Sequence, residues 1–333
     1  MIQQVSALSG KRVVCIGAGT GQANILRALA SGGKQLEGLI GIVSVTDNGG
    51  HSGVLRTEFH IPQVGDGKQC LLALAPESAE RDRLATRNSD GTSPANTRLA
   101  RLTNQHGIAR AFDIFRVDLG CQGQVLPATE SNVHIRASLE DGSIVTGEWE
   151  IIKRDPRIPI KQMSLSVDAP AYSGSLEAIR QADVIIIAPG SFHTGLVSAL
   201  LPAGMREAFH ASQAQVIQVI NLMTQPGLTD DWDAEQHVRQ LHPYCGREPD
   251  VVIVNSGSIP EEVLQHYGAL GSRPVIFNGA RQHFPQVRFV ELDLVPSQFS
   301  GNGDRAGNFA KWTHLLTHSS GRLLAAIEAA VDA

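Results

Sequence analysis

Short apolar runs alternate with amphipathic segments along most of this chain, and each run ends in glycine or polar residues. In the first unit, Arg12–Ile16 predicts a buried strand, Gly17–Gly21 a turn and Gly21–Ala30 a helix. Further strands are predicted at 39–45, 183–188, 216–220, 251–254 and 287–292, and further helices at 66–75, 176–181, 195–210, 233–241 and 310–331. This alternation predicts a Rossmann-like α/β fold with a doubly wound, mostly parallel sheet.

Two segments do not fit the alternation. Residues 76–107 are polar and predict a surface insertion, part helix and part loop. Residues 133–139 and 143–152 alternate apolar and polar side chains on either side of Asp141-Gly142, which is a strong hairpin signal. We therefore expect one α/β domain over residues 1–333, with the polar insertion at about 76–107 and a small antiparallel hairpin at about 133–152.

Composition limits the class of protein. The chain has 333 residues, of which 42% are hydrophobic, and a formal net charge of −5, which argues against general nucleic-acid binding. The four cysteines, at positions 15, 70, 121 and 245, have no paired spacing, which favours free thiols over disulfides or a zinc site. No apolar run is long enough to span a bilayer and no signal-peptide pattern opens the chain, so we expect a cytoplasmic protein.

The loop Gly17-Ala18-Gly19-Thr20-Gly21 follows the first predicted strand. Glycines let a backbone approach a phosphate, and the helix that follows offers unpaired N–H groups. The spacing is G-x-G-x-G, which is neither the full dinucleotide-binding pattern nor a P-loop. Taken alone, it fits a phosphate site or a tight strand-to-helix turn.

The loop after the second predicted strand carries a denser signal. It reads Asp47-Asn48-Gly49-Gly50-His51-Ser52-Gly53. Asp47 and Asn48 could hold a hard cation such as Mg²⁺ or a sugar hydroxyl, while the backbone around the glycines holds phosphate oxygens. The alternative is that Asp47 forms an Asx-turn or caps a helix.

Further polar loops follow other strands. Asp66 either caps the next helix or is a second acid in the cleft, with Lys68 pairing a phosphate. The loops at 188–195, 221–227 and 255–257 offer backbone, amide and hydroxyl groups. His193 has no identifiable carboxylate partner, so an acid–base role competes with that of a bystander.

Ligands bind at the carboxyl ends of the strands in an open parallel sheet, so these loops predict one cleft. Asp47 and Asp66 are its candidate catalytic groups, and Asp47 and Asn48 its candidate metal ligands. The predicted ligand-binding residues are Gly17, Gly19, Thr20, Gly21, Asp47, Asn48, Gly49, Gly50, Ser52, Gly53, Asp66, Lys68, Gly190, Ser191, Thr194, Asn221, Thr224 and Gln225.

With these motifs in place, the chain resembles the family that joins archaeal-type 2-phospho-L-lactate transferases to bacterial gluconeogenesis factors. The matching stretches are 17–21, 45–56, 61–74, 125–129, 182–201 and 221–229. Asn221–Gly227 and Ala188–Ser191 look like the gluconeogenesis-factor branch. The resemblance implies a Rossmann-like sheet with a ligand cleft at its carboxyl edge.

The resemblance implies different functions in the two branches. The transferase branch implies a guanosine-diphospho-lactate donor, a deazaflavin acceptor and Mg²⁺, with phospholactyl transferred to the acceptor's hydroxyl. The bacterial branch implies nucleotide-sugar binding and a regulatory role in carbon metabolism and cell shape.

Four positions depart from the family's usual pattern. Asn48 stands where a second acid is usual, Lys68 replaces an arginine, and His51 replaces what is often a serine. The family's His-x-Leu-Gly-Asn segment is not reproduced by Pro94-Ala95-Asn96-Thr97. These changes suggest a divergent ligand, or binding kept without chemistry.

Three hypotheses follow. The first is a regulatory protein that binds a nucleotide diphosphate or nucleotide sugar, with a homodimer as one assembly to consider. The second is a Mg²⁺-dependent phospholactyl-type transferase, so whether the protein is an enzyme stays open. A dehydrogenase is disfavoured because G-x-G-x-x-G and a partnered catalytic residue are not evident, and no NAD is expected.

Overall fold

The computed structural model describes residues 6–32, 36–88, 92–297 and 316–331. The strands within these ranges are β1 Arg12–Gly17, β2 Gly38–Val43, β3 Gln124–Pro127, β4 Ile135–Leu139, β5 Ile144–Thr146, β6 Ile160–Leu165, β7 Val184–Ile187, β8 Gln215–Val219, β9 Val251–Asn255 and β10 Arg288–Leu292. Seven of them form a parallel sheet in the order β10-β9-β8-β7-β1-β2-β3, and three form an antiparallel sheet in the order β5-β4-β6. The predicted α/β class is confirmed.

The helices cover both faces of the parallel sheet. They are α1 Gly19–Ser31, α2 Gly50–Phe59, α3 Gly65–Leu74, α4 Ala79–Ala85, α5 Pro94–His106, α6 Ile108–Leu119, α7 Glu148–Lys153, α8 Ser173–Gln181, α9 Ser198–Leu200, α10 Met205–Ala211, α11 Ala234–Cys245, α12 Glu261–Ala269, α13 Ala280–His283 and α14 Ser320–Val331. Residues 310–315 of the helix predicted at 310–331 lie outside the described residues.

The central strand β1 shows how the sheet is buried on both sides. Val13 and Cys15 pack into one apolar cluster, with α1 and α3, while Val14 and Ile16 pack into the other, with α8. A near-continuous apolar run is therefore what this strand requires. The strands β2 and β3 lie on one side of β1, and the later strands β7 to β10 lie on the other. A sheet of this topology has a switch point, and hence a crevice, at the carboxyl ends of β1 and β7.

The antiparallel module differs from the predicted hairpin. The turn at Asp141-Gly142 joins β4 and β5 as expected, but β6 adds a third strand and the strand predicted to continue to Ile152 ends at Thr146. Gly147 has φ +105°, a conformation that favours glycine, and α7 follows directly. Glu148 and Glu150 lie in the first turn of α7, where negative charge is favoured.

The segment at 76–107 does not lie only on the surface. It contains α4 and α5, with residues 89–91 outside the described residues. Ala95, Leu99 and Ala100 on one face of α5 are buried. This face packs mainly on α6, so an amphipathic helix within a polar stretch contributes to the core.

The single helix predicted at 195–210 is interrupted. Phe192–Val197 forms a π-helical segment that continues into α9, and α10 begins only at Met205. Pro202 and Gly204 lie between them, and Gly204 has φ +96°. Pro202, which lacks an N–H donor, follows the end of α9, and the left-handed Gly204 immediately precedes α10.

Candidate functional site

The loops after β1 and β7 are in contact at the switch point. A Cβ atom on Gly21 would collide with the carbonyl oxygen of Pro189, and one on Gly17 would lie 2.8 Å from Cβ of Ala188. Both glycines are therefore required by packing, whether or not a ligand is bound. Their role in ligand binding stays a prediction.

Asp66 joins the first loop to the start of α3. Its Oδ1 accepts a hydrogen bond from the Gly19 N–H at 3.0 Å, and its Oδ2 accepts one from Gln63 Nε2 at 2.8 Å. Gly19 has φ +60°, which turns its N–H toward this carboxyl. Burial, followed by repulsion from Asp47, raises the pKa of Asp66 to about 7. Asp66 therefore lies beside the loop after β1 and titrates near neutral pH.

Asp47 follows β2 and forms an Asx-turn, which was the alternative to ligand binding in the sequence analysis. Its Oδ1 accepts a hydrogen bond from the Gly49 N–H at 2.7 Å, and Ser52 also bonds its carboxylate. Burial raises the pKa of Asp47 despite these two hydrogen bonds and the positive charge of Arg56. Gly50, Ser52 and Gly53 belong to the first turn of α2, so much of this loop is the start of a helix.

Asn48 connects this turn to the antiparallel module. Its Oδ1 accepts a hydrogen bond from the Trp149 N–H at 3.0 Å, and its Nδ2 donates to Glu150 Oε2 at 2.8 Å. The amide thus acts as acceptor and donor at once, which a carboxylate cannot do. The prediction that Asn48 ligates a metal stays untested, but its oxygen already has a partner in this structure.

Glu148 is the functional candidate that the sequence prediction missed. Thr194 Oγ1 donates a hydrogen bond to its Oε1 at 2.9 Å, and Ser191 Oγ lies 2.7 Å from Thr194 Oγ1. Burial, followed by repulsion from Asp47 and Asp66, raises the pKa of Glu148 well above its usual value. The residues after Gly147 were read as a strand, and that reading hid an acid at a helix start.

Arg56 was also missed as a site residue. It is buried, and its Nη1 donates to the carbonyl oxygen of Thr46 at 2.6 Å. Its Nη2 donates to Asn132 Oδ1 at 2.7 Å and to the carbonyl oxygen of Val133 at 2.8 Å. Arg56 therefore ties α2 to the end of β2 and to the entry of β4, and it places a fixed positive charge beside Asp47 and Glu148.

Lys68 lies in the first turn of α3 and is 6% exposed. Burial, followed by repulsion from Arg87, lowers its pKa to about 8, while Asp66 partly opposes this effect. Within the described residues, neither Lys68 nor Arg87 has a side-chain hydrogen bond or ion pair. Lys68, beside Asp66, is therefore a cation that an anionic ligand could pair with.

The remaining predicted residues divide into two groups. Asn221 is next to the Gly190 loop: its Oδ1 accepts from the Gly190 N–H at 2.8 Å and its Nδ2 donates to the Gly190 carbonyl at 2.7 Å. Thr224 instead bonds the Arg273 backbone, where its Oγ1 accepts an N–H at 2.9 Å. The Gln225 N–H donates to a threonine hydroxyl in its own turn. Asn221 is thus bonded to the Gly190 loop. Thr224 and Gln225 are bonded instead to groups outside that loop.

His193 is a packed histidine in this structure. It is 5% exposed, and its ring lies edge-on to Phe192 and Trp232 at centroid distances of 5.3 Å. Burial lowers its pKa to about 3, which keeps the imidazole neutral. Cys70 is also fully buried, and burial raises its pKa well above the usual value, as expected for a packing thiol.

A metal would find few protein ligands here. Within the described residues, no group of three or more His, Cys, Asp or Glu side chains could hold a metal ion. Mg²⁺ often binds through one or two carboxylates together with substrate phosphates. Asp47 and Glu148 could serve as such carboxylates only for a cation that arrives with a ligand. No described helix is long and apolar enough to cross a membrane.

A cavity of about 1180 Å³ lies at the opposite edge of the sheet. It is bordered by the amino ends of β1, β2 and β3 and by Arg12, Arg27, Arg81 and Arg116. Arg12 pairs with Glu37 and Arg116 with Asp113. We place the site at the carboxyl edge, because the buried acids with raised pKa values are gathered there.

The sequence profile of the family described as 2-phospho-L-lactate transferase CofD matches residues 13–295 of the chain. The chain belongs to this family. It is 36% identical over 274 residues to the gluconeogenesis factor of Halalkalibacterium halodurans, covering 80% of this chain and 84% of that protein. It is 35% identical over 297 residues to the gluconeogenesis factor of Bacillus subtilis, covering 86% and 90%.

A solved structure supports the same relationship. The crystal structure of a UPF0052 family protein from Bacillus halodurans superposes with a TM-score of 0.85 at 32% sequence identity, and covers 96% of this chain and 99% of that one. The predicted membership of this family, with bacterial gluconeogenesis factors among the similar proteins, is therefore confirmed.

Proposed function

We propose that this family member is a cytoplasmic regulatory protein that binds a nucleotide diphosphate or a nucleotide sugar, with a role in carbon metabolism and cell shape. The observation that carries the proposal is the gathering of the loops after β1, β2, β7 and β8 around one switch point. Hydrogen bonds from Gly19 to Asp66, from Gly190 to Asn221 and from Thr194 to Glu148 link these loops and neighbouring elements. Crevices of this kind bind nucleotides in doubly wound sheets.

The charges around the cleft are compatible with an anionic ligand. Asp47, Asp66 and Glu148 would repel a diphosphate if all three were ionised. Burial raises the pKa values of all three, and repulsion between the acids raises those of Asp66 and Glu148 further, so each carboxyl is protonated more readily than an exposed one. A protonated carboxyl is neutral and donates a hydrogen bond, and Arg56 and Lys68 contribute positive charge.

The alternative is a Mg²⁺-dependent phospholactyl-type transferase that acts on a nucleotide-diphospho donor. The carboxyl groups of Asp47 and Glu148 favour it, because a carboxylate with a raised pKa is suited to accept a proton from an attacking hydroxyl. Phosphoryl chemistry depends mainly on positioning and charge neutralisation, which a bound cation would supply. The scarcity of further metal ligands among the described residues leads us to prefer binding.

A thermal-shift assay with UDP, GDP and their sugar conjugates, with and without Mg²⁺, tests the proposal. A ligand at a hundredfold excess over its Kd stabilises the folded state by about 2.7 kcal/mol, so the melting temperature should rise even without Mg²⁺. Asp47→Ala should reduce this rise, whereas Asp168→Ala, at an exposed position on another loop, should not.

Two results would argue against the proposal. Release of GMP from a phospholactyl-guanosine donor only when Mg²⁺ is present would support the transferase instead. Ligand stabilisation that is unchanged in Asp47→Ala would show that the assigned site is wrong.

A further inference from the structure

Trp149 is a large apolar side chain that remains in solvent beside the Asp47 turn. It is 40% exposed. Val54, in the helix that begins at this turn, is 59% exposed. Ligand sites are commonly lined by aromatic and apolar side chains beside a few polar groups.

The backbone of Trp149 is hydrogen-bonded to the Asp47 turn, and its ring lies beside Gly49 in that turn. The backbone N–H of Trp149 donates to Asn48 Oδ1, and a Cβ atom on Gly49 would lie 3.6 Å from Cε3 of the indole ring. α7 also carries Glu148 into the cleft, one residue before the tryptophan. The Trp149 ring and the candidate phosphate-binding loop at Asp47 therefore lie side by side.

Lys153 covers the ring. Its Nζ lies 4.3 Å from the centroid of the Trp149 ring, and Lys153 forms no ion pair within the described residues. An exposed cation–π contact is worth about 0.5–1 kcal/mol, whereas a nucleic-acid base stacked on an aromatic side chain is worth about 1–3 kcal/mol. Exchange of the ammonium for a base is therefore favourable, and the flexible lysine can then approach a phosphate.

We propose that Trp149 is the stacking surface for the base of a nucleotide held at the Asp47 turn, with Lys153 as its displaceable cover. This inference rests on the proposed nucleotide-binding function. It adds a specificity-determining residue: the loops hold the phosphates, and the indole selects ligands that carry an aromatic ring.

Isothermal titration calorimetry with UDP and with inorganic pyrophosphate separates the two contributions. Trp149→Ala should weaken UDP binding about 5- to 150-fold, which corresponds to the loss of one stacked base, and should leave pyrophosphate binding within twofold. Trp149→Phe should recover most of the UDP affinity. Val117→Ala removes another exposed apolar side chain, on α6, and should change neither affinity.

The outcomes distinguish the inference from the proposed function. If the unmodified protein binds UDP and Trp149→Ala binds UDP equally well, the stacking role is wrong and the nucleotide site stands. Equal weakening of UDP and pyrophosphate would also overturn it, because the tryptophan would then support the loop and not the base. If the unmodified protein binds neither probe, the proposed function fails and the inference fails with it.

Discussion

Asn48 connects the Asp47 turn to α7, and the structure predicts that its replacement by aspartate destabilises this chain. The Asn48 amide donates to Glu150 Oε2 at 2.8 Å, and a carboxylate would lose this bond and face Glu150 with like charge. A hydrogen bond to a charged group contributes about 1.5–3 kcal/mol, with the lower end applying to an exposed pair. Two like charges at about 4 Å add roughly 1 kcal/mol of repulsion in water. We expect Asn48→Asp to lower the free energy of unfolding by about 2 kcal/mol.

A double-mutant cycle measured by urea unfolding isolates this effect. In the background of Glu150→Gln, the acid at position 48 would meet an amide donor, so the cost of Asn48→Asp should fall to near zero. The predicted coupling is about 2 kcal/mol, within the range found for residues in contact. High salt should reduce the repulsive part. An equal cost of Asn48→Asp in both backgrounds would refute the assignment of Asn48 as the connector to α7.

Three further predictions concern the core and the cleft. Gly67→Ala should destabilise the protein by about 1–3 kcal/mol in chemical unfolding, because the new Cβ would collide with the Phe112 ring. Gly38→Ala is the control: a Cβ at this position would face open space, so the effect should be much smaller. Asp66 has a pKa of about 7 in the folded protein against an ordinary value of 3.8, so ionisation of this carboxyl destabilises the folded state increasingly between about pH 4 and 7, by up to about 4 kcal/mol. Asp66→Asn should remove this part of the pH dependence of stability, and an unchanged stability–pH curve would contradict the assignment. Arg56→Lys should lower the free energy of unfolding by about 2–4 kcal/mol, because one ammonium cannot replace hydrogen bonds to carbonyls on two separate segments. Thermal or urea unfolding measures the change, and a loss of stability below about 0.5 kcal/mol would show that these bonds are dispensable.

The sheet could be predicted from the sequence because its signal is local. A strand such as β1 is buried on both faces, so its apolar run is continuous. The turn and the amphipathic helix that follow it then mark where the strand ends. The strand β3 was missed because Gln124–Pro127 is short and contains only two strongly apolar residues. Its place at the sheet edge depends on pairing with β2, which the local sequence does not encode.

The site could be predicted only in part because its contacts are distant in sequence. Residues 148–153 alternate like a strand, yet they form a helix whose start is fixed by Gly147 and by Asn48, about a hundred residues earlier. Glu148 was hidden for that reason. Conversely, Gly17 and Gly21 resembled a phosphate loop, although close packing against Ala188 and Pro189 already requires glycine. A glycine-rich turn reports a close approach of atoms, and the sequence does not say whether those atoms belong to a ligand.

The most direct test of the account is a structure determined with a bound nucleoside diphosphate. The account predicts the phosphates at the carboxyl edge of the sheet, among the loops that carry Gly19, Asp47 and Gly190, with the base against Trp149. A nucleotide found instead in the cavity of about 1180 Å³ lined by Arg27 and Arg81, at the amino edge, would contradict it.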